Sequence, residues 1–177
     1  MMGMLDGWST DSIALLTSTQ IAALGTFDIA AMTTGQVVAL TTVQIPFLST
    51  LQISVLNTAQ TAAIETSDVL TLSTAQVTAL TTANIAAMST AQIQALSTSA
   101  MANLKTSQIA ALNTADIAAM GTGQIAALST AGIAVLGTGQ ISALTTSHVV
   151  ALSSSQIGAI STAGVALSLI HISEPTD

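Results

Sequence analysis

Leu72-Ser73-Thr74-Ala75-Gln76-Val77-Thr78-Ala79-Leu80 decides the fold, because the same frame, from one apolar anchor to the next, recurs every eight residues along nearly the whole chain. From Trp8 to Ile160 every eighth residue is a large apolar one, 20 of 20, with Met32, Met88 and Met120 among the leucines. Three places before each anchor, from Ile13 to Val165, stands Ile or Val in 18 of 20 octads, Met101 and Thr61 being the departures. Two places after it, from Thr10 to Thr162, stands Thr in 18 of 20, with Ser18 and Ser154 in the other two. No insertion or deletion shifts the frame, so the period is itself a structural instruction.

One long helix does not suit this period. Eight residues rotate a helix by about 800°, overshooting two turns by about 80°, so the apolar stripe would wind around the axis instead of facing one core. A strand does not suit it either, since anchors three residues apart point to opposite faces of an extended chain. A helix restarted in every octad does. With Ser73 as N-cap, Ser73-Thr74-Ala75-Gln76 is a capping box: the Ser hydroxyl takes the N–H three residues on, and Gln returns to the cap's own N–H. Leu72 and Val77 then form the hydrophobic staple that closes the entry to the helix. Both devices recur at Ser89–Ile93 with Met88, and at Thr41–Ile45 with Leu40. Gly25, Gly121 and Gly137 are tolerable caps. Glu65 and Lys105 are poor ones, which leaves open a start one residue later, on the recurrent Thr.

The fold expected is therefore all-α: a solenoid of very short helices, one per 8-residue repeat, stabilised by stacking because isolated helices below about 12 residues are marginal. A β-solenoid with 16-residue coils is the alternative, favoured by Thr and Ile and opposed by Ala and the capping box. The expected organisation is a leader at 1–8, the repeat solenoid at 9–166 and a non-native tail at 167–177. Pro46 removes an N–H inside one short helix, and Thr61 is expected to weaken one core position.

Half the residues are hydrophobic, but only 5% are charged, against about 25% in a typical soluble domain. Lys105 is the single Lys or Arg, and the net charge is −7. One cation cannot neutralise a run of phosphates, so nucleic-acid binding is not expected, nor docking on anionic lipid. Thr, Ser or Gln interrupts every apolar run well before the roughly 18 residues of a membrane span. There is no Cys, hence no disulfide framework or thiolate metal site.

The repeat does not assemble a catalytic constellation, and no enzyme, cofactor or metal is expected. His148 sits where Gln usually stands, without acidic or thiol partners beside it, and reads as a surface substitution. Asp28, Asp68 and Asp116 fill that same slot in the first helical turn, where a carboxylate suits the helix dipole; capping explains them better than calcium. Gly121-Thr122-Gly123 and Gly137-Thr138-Gly139 lack the Lys of a phosphate loop. The methionines read as core filling or leader. The one recurrent feature that could serve a ligand is the Thr of each octad. Thr74, Thr82, Thr90, Thr98, Thr106, Thr114, Thr122, Thr130, Thr138 and Thr146 are the candidate binding row, read first as residues the fold needs and second as an ice-, glycan- or adhesive face.

The pattern L-[S/T]-T-x-Q-[I/V]-x-A-L resembles octapeptide tracts of long repetitive bacterial proteins, many of them secreted or surface-associated. The resemblance covers about 160 residues of this chain and implies a modular stalk or scaffold, transferring no catalytic residue. It points to an extracellular or cell-surface location, an unknown protein, glycan or surface partner, and a chain for which self-association stays open. Leu167–Thr176, LSLIHISEPT, breaks the octad with Ser168 where an anchor is due. It resembles the translation of a transposon-derived sequencing adapter, so the array is expected to continue in its parent, and His171, Glu174 and Pro175 are given no functional weight.

Overall fold

A computed structural model describes Leu5 and residues 7–160; the expected tail at 167–177 and the last octad lie outside the described residues. Each described octad from Thr10 onward opens a helix. Among the described residues there are 18 α-helices, one 3-10 helix and no strand, so the β-solenoid alternative falls. The shortest, Thr66–Val69, has four residues, and most have five or six, as in Thr10–Ala14 and Thr74–Ala79.

The cap is the residue directly after the anchor, which settles the open register. Ser73 is extended (φ −70°, ψ 158°) and its hydroxyl accepts the Gln76 N–H, while Thr74 is the first helical residue. Glu65 and Lys105 keep the same position although neither side chain caps. The neighbouring octads impose the register through their apolar anchors, and a weak cap costs only about 1 kcal/mol against that.

Most helices end when the chain turns extended at the anchor, as at Leu80 (φ −61°, ψ 143°), whose N–H reaches back to the Val77 carbonyl. Left-handed glycine caps play no part here: the one positive φ among the described residues is at Gly7. The last carbonyls of each helix are consequently left to find partners elsewhere.

The packing divides the chain into two compact units, residues 1–96 and 97–177. In each, a helix packs on the one three octads away. In the first unit, Thr10–Ala14, Thr34–Val38, Thr58–Ala63 and Thr82–Ala87 stack in order; in the second, Thr98–Asn103, Thr122–Ala127 and Thr146–Ala151 do so. One coil of either solenoid is thus 24 residues in three short helical sides. Ile and Leu anchors fill its inside: Ile53, Ile93, Ile109 and Ile125 are wholly buried, and the Leu anchors nearly so apart from the half-buried Leu144. Each such side chain contributes about 1.5–3 kcal/mol, which is what holds helices too short to persist alone.

Pro46 has the local effect its missing N–H demands. Its octad forms the 3-10 helix Ile45–Phe47, yet the Thr41 N–H still donates to Gln44 Oε1 at 2.9 Å. The expectation for Thr61 needs correcting. It is fully buried, its hydroxyl donates to the Asn57 carbonyl at 3.0 Å and accepts from the Asn84 amide. The two departures from the repeat, Thr61 and Asn84, meet each other and are satisfied together.

Candidate functional site

The most elaborate polar site in the molecule is the third helical position of each octad. Gln76 Oε1 accepts the Ser73 N–H at 2.8 Å, closing the capping box, and its Nε2 donates to the carbonyls of Ile45 and Leu48, both at 2.8 Å. Those carbonyls lie 31 and 28 residues earlier, at the end of a helix on the preceding coil. One amide therefore caps the start of its own helix and the end of another, satisfying the carbonyls that the extended anchor leaves free. Gln52 repeats this with Ile21 and Leu24, Gln60 with Ile29 and Met32, and Gln92 with Thr61 and Ile64. In the second unit Gln140 holds Ile109 and Leu112, and Gln156 holds Ala126 and Leu128. These amides are nearly all buried. Gln20, in the first coil, is exposed and bonds only within its own cap, to Thr17.

The return half of this role is what the capping box predicts; the coil-to-coil half is not. A signal for it was present. A capping box accepts Glu as readily as Gln, yet no octad has Glu in this slot. A carboxylate cannot donate, so the three octads with an acid in the slot, at Asp28, Asp68 and Asp116, keep at most the capping half of the role.

This changes the reading of the variants. His148 is a buried coil-to-coil group, not a surface substitution: it is 3% exposed, because the slot itself is interior. Its Nδ1 accepts the Thr145 N–H at 3.2 Å, which assigns the proton to Nε2, 2.8 Å from the Met120 carbonyl. The ring reproduces the acceptor and donor of Gln. The Nδ2 of Asn84, one methylene shorter, donates to the Leu56 carbonyl, at 2.9 Å, and to the hydroxyl of Thr61, while its Oδ1 accepts from the Thr81 hydroxyl. Asp28 and Asp116 do cap, accepting the N–H of Gly25 and Asn113, each at 3.1 Å. Asp68 departs from that expectation: it makes no capping box, and its Oδ2 is buried without a partner. Burial, and secondarily the charge of Glu65, pushes its pKa up to about 6. At Gly132 the slot is filled from the neighbouring coil, since a Cβ there would come within 2.4 Å of the Ile109 Cδ1.

The candidate Thr residues occupy the first position of each helix. Thr74 and Thr90 are half-buried and the other eight are exposed. They do not form one row. Three octads per coil distribute them over three columns, so that Thr98, Thr122 and Thr146 belong to one, Thr106 and Thr130 to another, and Thr114 and Thr138 to the third. Their methyl groups face the coil above: a Cβ at Gly35, Gly123 or Gly139 would lie 3.9, 3.6 or 3.4 Å from the Cγ2 of Thr10, Thr98 or Thr114. Where Ala fills that position, as at Ala83 or Ala131, the register brings its methyl onto the Thr below. This gives the octad a reason to prefer Thr to Ser that needs no ligand.

Large apolar residues also stand outside where the repeat has small ones, among them Leu15, Phe27, Val43, Phe47, Leu51 and Leu70 in the first unit and Val135 and Val150 in the second. Phe27 and Leu51 hold the same position on two stacked helices, Thr26–Ala31 and Thr50–Ser54. A small cleft of about 130 Å³ is lined by Trp8, Leu16, Gln20, Ala23 and Leu24, below the roughly 300 Å³ at which ligand pockets begin. Among the described residues no three His, Cys, Asp or Glu side chains are grouped to hold a metal ion, and no helix is long and apolar enough to cross a membrane.

A family model described as the ALTTAQ repeat matches the chain repeatedly, at residues 21–58, 61–98, 85–114, 99–130, 109–146 and 133–167, which together span well over half of it. The six letters can be read directly in Ala39-Leu40-Thr41-Thr42-Val43-Gln44 and Ala143-Leu144-Thr145-Thr146-Ser147-His148, the departures falling at Val43, Ser147 and His148. No curated protein and no solved structure matches the chain.

Proposed function

The chain belongs to the ALTTAQ repeat family, and from that premise we propose that it is a non-catalytic structural segment, a spacer or interaction scaffold within a larger bacterial surface or secreted protein. The observation that carries this reading is where the recurrent polar residues are spent. In most octads the cap, the slot residue and the Thr methyl serve helix starts and coil-to-coil contacts, so the repeated chemistry is consumed in building the solenoid. A scaffold assembled from nearest-neighbour contacts can be lengthened one coil at a time without a new core, which suits a spacer. The near absence of charge supports partners other than nucleic acid, and the octapeptide resemblance supports an extracellular setting.

A second reading rests on the Thr columns, whose hydroxyls are largely exposed at a fixed 24-residue step and could face ice or glycans. One set of assays separates the two. Purified chain is tested for ice-recrystallisation inhibition and against a glycan array, with Thr122→Ala and Thr146→Ala in the same column as controls. The scaffold reading expects no inhibition and no saturable glycan binding. Saturable binding lost in the Thr variants would overturn it in favour of the second. Turnover of ester, peptide or phosphoester substrates by the purified chain would overturn the non-catalytic part of both.

A further inference from the structure

Asp68 is the one slot residue whose buried side-chain oxygen is left without a partner. It is 1% exposed. Its helix, Thr66–Val69, lacks the return bond to the cap that Asp28 and Asp116 make. The slot's register, 28 residues back, sets it against the Leu40 carbonyl. Asn84 has the same side-chain length, and its amide reaches the corresponding carbonyl, Leu56, at 2.9 Å. In the coils held by Gln that carbonyl always receives an N–H; at Leu40 it receives nothing. The register of the repeat thus assigns two acceptors to one interior slot that elsewhere holds a donor.

The described residues of the first unit include no Lys, Arg or His to compensate a charge there. Glu65, on the same short helix, is the single ionisable neighbour, and it is acidic. The helix Thr90–Ala95 packed against it, the octads at 34–48 beneath, and indeed all residues at 29–64 and 69–104 carry no ionisable side chain. An ionised carboxylate would face a carbonyl oxygen and a second acid in a dry interior, a burial that is strongly unfavourable without a partner.

We propose that Asp68 is a proton-dependent fastening between two coils of the first unit: as the neutral acid it donates to the Leu40 carbonyl, and its ionisation opens that junction. The proton supplies the donor that the Gln amide supplies elsewhere, so this one octad binds its neighbour in acid and releases it near neutrality, where a Gln slot has no titratable group to change. The folded chain holds the proton more tightly than the unfolded one, so the stabilisation is present in acid and is lost as pH rises from about 4, the ordinary carboxylate value, through about 6.

The test uses the full chain with carboxyl-labelled Asp, followed by carbon NMR, together with urea unfolding of the wild type and of Asp68→Asn from pH 4 to 7.5. The Asp68 carboxyl is expected to titrate near 6, and its midpoint to fall in Glu65→Gln. Asp68→Asn supplies a permanent donor. The ratio of the wild-type unfolding constant to that of the variant is expected to rise on the order of 100-fold across this range, with the amide protection factors of the Thr66–Val69 helix, corrected for intrinsic exchange, falling above pH 6 in the wild type alone. A midpoint in the ordinary range near 4, or a variant whose stability follows the wild type at every pH, would overturn the proposal. Should Asp68→Asn fail to fold, the wild-type titration decides by itself.

Discussion

Replacing Gln76 by Met isolates what the buried amide does. The two side chains are close in volume, so the packing cost stays small, while all three hydrogen bonds disappear: one from Ser73, one to Ile45 and one to Leu48. At about 1 kcal/mol net for each bond, the loss is about 3 kcal/mol, with any buried group left dry adding to it. Gln20 provides the internal control, since the same residue there is exposed and bonds only to Thr17. Gln20→Met removes the local cap alone, about 1 kcal/mol or less. The difference of about 2 kcal/mol is the coil-to-coil contribution. Urea unfolding followed by circular dichroism at the helical band measures both, and Gln76→Glu adds a check: it keeps the acceptor for Ser73 but sets a carboxylate against two carbonyls, so it should be far less stable at pH 7 than at pH 4. Equal costs for Gln76→Met and Gln20→Met would refute the reasoning, because the slot would then be a helix cap and nothing more.

Thr61 and Asn84 should behave as a coupled pair. Thr61→Ile and Asn84→Gln each destabilise alone, and the double variant, back at the repeat pattern, recovers at least about 1 kcal/mol of the summed loss in a double-mutant cycle; additive effects would contradict the contact. At Thr114, the methyl that faces Gly139 matters more than the hydroxyl. Thr114→Ser should cost about 0.5–1 kcal/mol and Thr114→Val less than that, measured by thermal unfolding, and the reverse order would return the hydroxyl to the centre of the argument.

Local structure was legible in the sequence because it depends on neighbours within one octad. The cap at Ser73, the return Gln76 and the Leu72–Val77 pair lie within six residues of one another, and their chemistry names a helix start without outside help. Coil geometry was not legible in the same way. The octad says that an Ile and a Leu must be buried every eight residues, but two, three or four octads per coil bury them equally well, and the choice rests on backbone angles at the extended anchor. With the number of octads per coil unknown, the second partner of Gln76 could not be placed, His148 passed for a surface residue, and Asp68 was grouped with the capping acids Asp28 and Asp116. The single row of Thr residues became three columns for the same reason. What the sequence did contain was the exclusion of Glu from the slot, whose meaning depends on the carbonyls that face it.

The number of octads per coil is also the claim most directly open to measurement, because the chain has no cysteine and introduced pairs report contact without interference. Thr114 and Gly139, 25 residues apart, meet across one coil in the second unit, where a Cβ at Gly139 lies 3.4 Å from the Thr114 Cγ2. Thr114→Cys is paired in turn with Ala131→Cys, Gly139→Cys and Ser147→Cys, corresponding to coils of two, three and four octads. Mild oxidation of the folded chain should close an intramolecular disulfide in the Gly139→Cys pair and leave the other two as free thiols. A crosslink forming instead with Ala131→Cys or Ser147→Cys would contradict the three-sided coil, and with it the partners assigned to every buried glutamine.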